Sequence, residues 1–267
     1  MTAVLRSEAS GDFDVLVLDS HANRNALSLQ LLGELTKGIV VSAGRPSRGL
    51  VITHTGTTFC SGVDLRERQA LGKTDDAHSR LLGELFVALW NYPKPVVIAL
   101  DGAVRGGGMG LLACGDVVVA SADSTFAYSE ARVGVAPALV MAVTLVTVTH
   151  RGILPWLLSG AVFTSDEALA LGLVTGLDGA PRTAGIQTAV AGLTAASPLA
   201  QLSTKRLFRA AHNVDLSASI GAMTAESAAQ FASVDAEEGL AAFAQKRPPR
   251  WMRAAGTAAS DSTQATG

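Results

Sequence analysis

The stretch Asp101-Gly102-Ala103-Val104-Arg105-Gly106-Gly107-Gly108-Met109-Gly110-Leu111-Leu112-Ala113-Cys114-Gly115-Asp116 concentrates the residues that let a backbone do chemistry. Glycines lack Cβ and reach positive φ, so their N–H groups can approach a ligand closely. Val96 to Leu100 before it predicts a short buried strand, and Gly108 to Cys114 after it predicts an apolar helix. A strand, a glycine loop and a helix start aim free N–H groups at whatever lies in front of them, and an anion suits that place. The expectation is a transient anion. Phe59-Cys60-Ser61-Gly62-Val63-Asp64-Leu65 is a second strand end with a loop of small residues. Two such loops can converge their N–H groups on one oxygen, as stabilisation of an oxyanion requires; the plainer reading of the second loop is a turn.

One carboxylate stands apart. Glu130 follows Phe126-Ala127-Tyr128 and precedes Val133-Gly134-Val135-Ala136-Pro137, at a strand mouth amid apolar residues. Burial there raises a carboxyl pKa and suits the group to proton transfer. The alternative role is a structural ion pair with Arg132 or another arginine. The glycine loop also has rival readings. Gly108 to Ala113 spells G-x-G-x-x-A, the dinucleotide fingerprint. Against it, seven residues separate Leu100 from Gly108, and no acid ends a clear strand at ribose distance. Close packing of helix on sheet is the other reading of these glycines.

Composition narrows the classes. The chain has 267 residues, 48% hydrophobic and 16% charged, with a formal net charge of −2, so nothing supports nucleic-acid binding. Mean hydropathy of +0.33 predicts a large core and buried subunit contacts. Cys60 and Cys114 each follow a hydrophobic run and are expected as buried reduced thiols. The five histidines (His21, His54, His78, His150 and His212) have no metal-ligand spacing. The N-terminus lacks a signal-peptide core, and Val133 to Val148 is too short and impure for a membrane span, so a cytoplasmic location is expected.

The elements that must hold these groups follow from pattern. Strands are predicted at Phe13–Asp19, Gly49–Thr53, Val117–Ala120 and Thr125–Tyr128, with a short one at Leu173–Val174. Ser28 is placed to cap a helix from Leu29 to about Val41, and Asp64 to cap one starting at Leu65. Ser79 to Trp90 has helical spacing, stopped by Asn91-Tyr92-Pro93-Lys94-Pro95. Thr164-Ser165-Asp166-Glu167 is a capping box, with Gly172 as the stop. Propensity alone makes Met141–Thr149 a strand. Residues 1–182 read as a β/α core. Residues 183–253 read as helices near 183–196, 199–213, 216–233 and 236–246, the last capped around Asp235. Residues 254–267 read as a disordered tail.

The ordered set resembles the crotonase family, the enoyl-CoA hydratase/isomerase superfamily, from about Phe13 to Trp251. The residues that carry it are Asn23 to Ser28, Phe59 to Leu65, Asp101-Gly102 and Gly106 to Gly108 with Cys114-Gly115-Asp116. Glu130 with Gly134 and Pro137 follows, then Leu158-Ser159-Gly160, Glu167 to Val174, and Glu238-Gly239-Leu240 with Phe243, Lys246, Arg247 and Pro248. The resemblance implies an α/β fold: a spiral of ββα units with a C-terminal helical trimerisation segment, as a homotrimer or dimer of trimers. It makes Met141–Thr149 helical. It implies an acyl-CoA thioester substrate, with no cofactor beyond the coenzyme A of that substrate and no metal. The oxyanion hole maps onto the N–H groups of Val63 and Gly107, with Glu130 as acid/base. Arg24, Ala26, Ser61, Asp64, Leu65, Phe243 and Lys246 map onto the CoA-binding positions. Hydratases of the family use two glutamates; Glu130 matches the second, and Gly110 stands where the first falls. Val63 is bulkier than the alanine common there. The expected activity is enoyl-CoA hydration, with single-glutamate double-bond isomerisation or weakly catalytic acyl-CoA binding as alternatives.

Overall fold

Strands that are apolar at every position must be covered on both faces. The computed structural model, which describes residues 4–72, 76–148, 151–211 and 215–252, does this with two sheets and packed helices. The strands are β1 (Leu5–Ser10), β2 (Phe13–Leu18), β3 (Gly49–His54), β4 (Thr58–Cys60), β5 (Val96–Leu100), β6 (Ala103–Arg105), β7 (Val117–Ala120), β8 (Thr125–Ala127), β9 (Phe163–Thr164) and β10 (Gly176–Leu177). The larger sheet has the order β1-β2-β3-β5-β7-β10, and the smaller one β4-β6-β8-β9. Pairing is parallel except for the flanking pairs β1–β2 and β8–β9. The chain therefore lays one strand in the large sheet and the next in the small one, three times over: β3 and β4, β5 and β6, β7 and β8. This is the expected spiral of ββα units.

The helices are α1 (Leu29–Ala43), α2 (Leu65–Leu71), α3 (Ala77–Trp90), α4 (Gly107–Ala113), α5 (Ala138–Thr147), α6 (Leu154–Ser159), α7 (Ser165–Ala170), α8 (Ile186–Thr194), α9 (Pro198–Ala211), α10 (Leu216–Phe231) and α11 (Val234–Ala244). Their starts show why the chain turns where it does. Ser28 Oγ accepts the Leu31 N–H at 3.2 Å, and Asp64 Oδ1 accepts those of Arg66 and Glu67 at 3.1 and 3.2 Å. Thr164 and Glu167 form the reciprocal capping box.

Strand β2 divides the interior by alternation. Leu16 and Leu18 face the main core with Leu50, Ile52, Ile98 and Phe86. Phe13, Val15 and Val17 face a smaller core with Val51, Val97 and Ala99, which Ile186 of α8 covers. Cys60 and Cys114 are buried free thiols, both pushed up to about 12 by burial. Among the described residues no helix is long and apolar enough to cross a membrane.

Three sequence expectations are corrected. The strand expected over Met141–Thr149 is not formed by its described residues, Thr149 lying outside them: helix α5 spans Ala138–Thr147, packed between α4 and α10, and burial overrides β propensity. Leu173–Val174 forms no strand; their N–H groups both turn back to Ala168 O, and the strand beside β7 is β10. The cap of α11 is Ser233, whose Oγ accepts the Ala236 N–H at 3.1 Å, and not Asp235. The tail at 254–267 lies outside the described residues.

Candidate active site

The two loops named by the sequence meet. Gly62 has φ +92°, and a Cβ there would stand 3.3 Å from Arg105 O and 3.7 Å from Gly106 Cα. A parallel bridge fixes the first loop: Leu27 N–H donates to Gly62 O at 2.8 Å, and Asp64 N–H to Leu27 O at 3.3 Å. That bridge uses the groups on either side of Val63 and leaves the Val63 N–H without an acceptor among the described residues. On the second loop Gly106 N–H donates to Ala127 O at 3.0 Å. Gly107 opens α4 and so has no carbonyl one turn behind it in the helix. Val63 and Gly107 both line one cavity of about 990 Å³.

Glu130 lies against the second loop. It sits in a single 3-10 turn, Ser129–Val133, that follows β8. Gly106 has φ +49°, so its backbone favours glycine, and a Cβ there would stand in ordinary contact, 3.4 Å, with Glu130 Oε1, which places the carboxyl directly over the loop. The residue as a whole is half-buried, but its carboxyl end is closed off: Oε2 is buried with no hydrogen-bond partner among the described residues. Burial pushes the carboxyl up to about 7. No ion pair forms with Arg132, whose Nε donates to Ser159 O at 3.3 Å. A carboxyl without a cation, poised near neutrality on a cavity wall, can give or take a proton.

The other expected site residues divide. Arg24, Ser61, Leu65 and Phe243 line the cavity with Val63, Gly107 and Glu130. Ala26, Asp64 and Lys246 do not. Ala26 is buried, the Asp64 carboxylate is committed to capping α2, and Lys246 sits at φ +52° just past α11. Arg24 also has a left-handed backbone, φ +59°, followed by Asn25 at φ +51°. Asn25 holds that conformation from inside: its Oδ1 accepts the Ser20 N–H at 2.8 Å, and its Nδ2 donates to Thr55 O and Thr58 O at 3.1 and 2.8 Å. Sequence reasoning did not single out Arg105, His78, Ser79, Ser227 or Phe231, which also line the cavity. The helical residues among them sit within amphipathic runs and give no local signal.

The remaining glycines pack rather than bind. A Cβ on Gly108 would stand 2.8 Å from Cys60 Cβ, and one on Gly110 2.1 Å from Phe86 Cζ. The fingerprint glycines thus face the core and cannot lie along a pyrophosphate. At Gly110, where a two-glutamate hydratase carries its first acid, the fully buried Phe86 ring fills the space.

Two joined backbone loops beneath a buried carboxyl, on a spiral of ββα units, define a crotonase-fold protein. The enoyl-CoA hydratase/isomerase family model matches residues 13–254, and the chain belongs to that family. A solved enoyl-CoA hydratase from Mycobacterium avium superposes with a TM-score of 0.83 at 33% identity, over 94% of this chain and all of its own. The 2,3-dehydroadipyl-CoA hydratase of Escherichia coli is 29% identical over 88% of this chain and 93% of its own length. A peroxisomal Delta(3,5)-Delta(2,4)-dienoyl-CoA isomerase of Arabidopsis thaliana is 25% identical over 94% and 96%.

Proposed function

We propose that the chain is an enoyl-CoA hydratase in which Glu130 is the sole proton carrier. The observation that carries this is the unpaired, buried Glu130 carboxyl against the loop of Gly107, in the cavity that Val63 also lines. The thioester oxygen accepts from the N–H groups of Val63 and Gly107. Water attacks C3 of the 2-enoyl group and gives a proton to the Glu130 carboxylate, while negative charge moves to the thioester oxygen. Each aimed donor stabilises that enolate by about 3 kcal/mol. Glu130 then delivers the proton to C2 on the same face, and the enzyme is unchanged. The chemistry asks for no group beyond the chain, its thioester and the water that is added. Arg24, Ser61, Leu65 and Phe243, which line the cavity, are the positions for the CoA portion, with Ala26, Asp64 and Lys246 close to them in sequence.

A second reading, double-bond isomerisation, is favoured by Phe86 at Gly110, because one carboxyl suffices to move a proton from C2 to C4 of a 3-enoyl thioester. A panel of 2- and 3-enoyl-CoAs read by mass spectrometry separates the two: hydration adds the mass of water and isomerisation adds none. Glu130→Gln is expected to lower turnover by about 10²- to 10⁴-fold in either case. Tight acyl-CoA binding with no conversion of any thioester would overturn both and leave a binding protein. Self-association as a homotrimer or dimer of trimers belongs to the same proposal. It is supported by Leu199, Leu207, Val234 and Phe243, which the helical half leaves exposed.

A further inference from the structure

The cavity has a second polar wall, on elements that the CoA positions do not use. His78 and Ser79 lie on α3 and Ser227 on α10, and all three line the cavity. His78 is fully buried, and its Nε2 lies 3.0 Å from Glu67 Oε2. The same carboxyl oxygen accepts the Leu29 N–H at 2.8 Å. An oxygen already acting as acceptor sets Nε2 as the donor, so the neutral ring keeps its lone pair on Nδ1. Nδ1 is buried and has no hydrogen-bond partner among the described residues. Burial also lowers the His78 pKa, which favours the neutral ring. Beside it, Ser79 Oγ and Ser227 Oγ share one hydrogen bond of 3.0 Å. That bond uses one of the two hydroxyl hydrogens and leaves the other without an acceptor among the described residues. Leu82, one turn further along α3, stands 3.4 Å from the Cβ direction of Gly107. The polar group therefore lies about 5 Å along the helix from the side chain that touches the oxyanion loop.

We propose that this wall receives the acyl tail and selects one bearing a hydroxyl, whose hydrogen goes to His78 Nδ1 and whose oxygen takes the spare hydrogen of the Ser79–Ser227 pair. A hydroxyl matches both unmet needs at once. A methyl tail meets neither. A carboxylate has no hydrogen to give and faces the Nδ1 lone pair. The inference rests on the acyl-CoA reading above and extends it to the tail.

The test is calorimetric binding of saturated acyl-CoAs, four to eight carbons long, each with a methyl, hydroxyl or carboxyl terminus. Saturated thioesters cannot be turned over, so binding is read independently of catalysis. The expected result is that, at one chain length, the hydroxyl form binds about fivefold more tightly than the methyl form. His78→Phe erases that difference, and the imidazole ¹⁵N signal of Nδ1 moves only with the hydroxyl ligand. Equal affinities at every length, a preference for the carboxyl form, or a hydroxyl preference that survives in His78→Phe would overturn the proposal. Intact enoyl-CoA turnover without any hydroxyl preference overturns it alone. Failure of every thioester to bind overturns the acyl-CoA reading together with it.

Discussion

At Glu130 the cost of ionisation is itself measurable. The folded carboxyl titrates at about 7, against 4.5 for the free group. Between these values the folded chain holds a proton that the unfolded chain has released. Stability therefore falls as pH rises through that window, and the full loss, about 3 kcal/mol, is in place above neutrality. Glu130→Gln removes the loss. Its urea midpoint should exceed that of the wild type at pH 8, with the advantage gone at pH 4. In the proposed reaction the carboxylate is the base that takes the water proton, so wild-type kcat/KM for hydration should rise with pH through a single ionisation near 7. Gly106→Ala tests the loop. A side chain at φ +49° costs about 1 kcal/mol or more, and relief of that strain shifts the loop against which the Glu130 carboxyl rests. Turnover should fall more than the melting temperature does.

At the scale of elements, Asn25 shows how a side chain replaces secondary structure. Its three hydrogen bonds hold a left-handed turn that no ladder supports. Asn25→Ala should cost about 2–4 kcal/mol in chemical denaturation, since the Ser20 N–H and the Thr55 and Thr58 carbonyls lose their partner. Such local chemistry is legible in sequence. The Ser28, Asp64 and Thr164 caps, the strand Val96–Leu100 and the apolar setting of Glu130 could all be read from neighbouring residues. What could not be read is set by contacts distant in sequence. Helix α5 is β-branched by composition and helical because α4 and α10 enclose it. Strand β1 is polar and exposed on its own residues and exists because β2 pairs with it. His78 looks like any helical residue until Glu67, from another helix, reaches its ring. The Ser79–Ser227 pair joins residues 148 apart.

Across the whole molecule, the C-terminal helices form one wall of the cavity. Phe243, Arg247 and Pro248 reach it from α11 and the segment after it. Glu238 holds that segment down: it accepts from Arg247 at 2.6 and 3.1 Å and from the Arg250 N–H at 2.8 Å. The arginine bonds keep the Glu238 carboxyl down at about 2. Its stabilising contribution is therefore present above the ordinary carboxylate range and is lost as pH falls from 4.5 toward 2. Glu238→Ala should raise KM for acyl-CoA while leaving kcat within severalfold, because it loosens a wall and removes no proton carrier. Light scattering after size exclusion should give three or six times the chain mass. Leu207→Glu, in an exposed apolar position of α9, should lower it.

The Phe86 ring against Gly110 ties two positions into one. Seen as a path of sequence change between one-carboxyl and two-carboxyl chemistry, neither position can move first. Glutamate at 110 strikes the ring, and a small residue at 86 opens a hole in the core, a step that costs about 3–5 kcal/mol. The two changes made together should each relieve the other, so a double-mutant cycle of Gly110→Glu and Phe86→Ala should show a favourable coupling of about 1 kcal/mol or more. The number of acids this cavity can carry is thus held by a buried aromatic ring that does not line it.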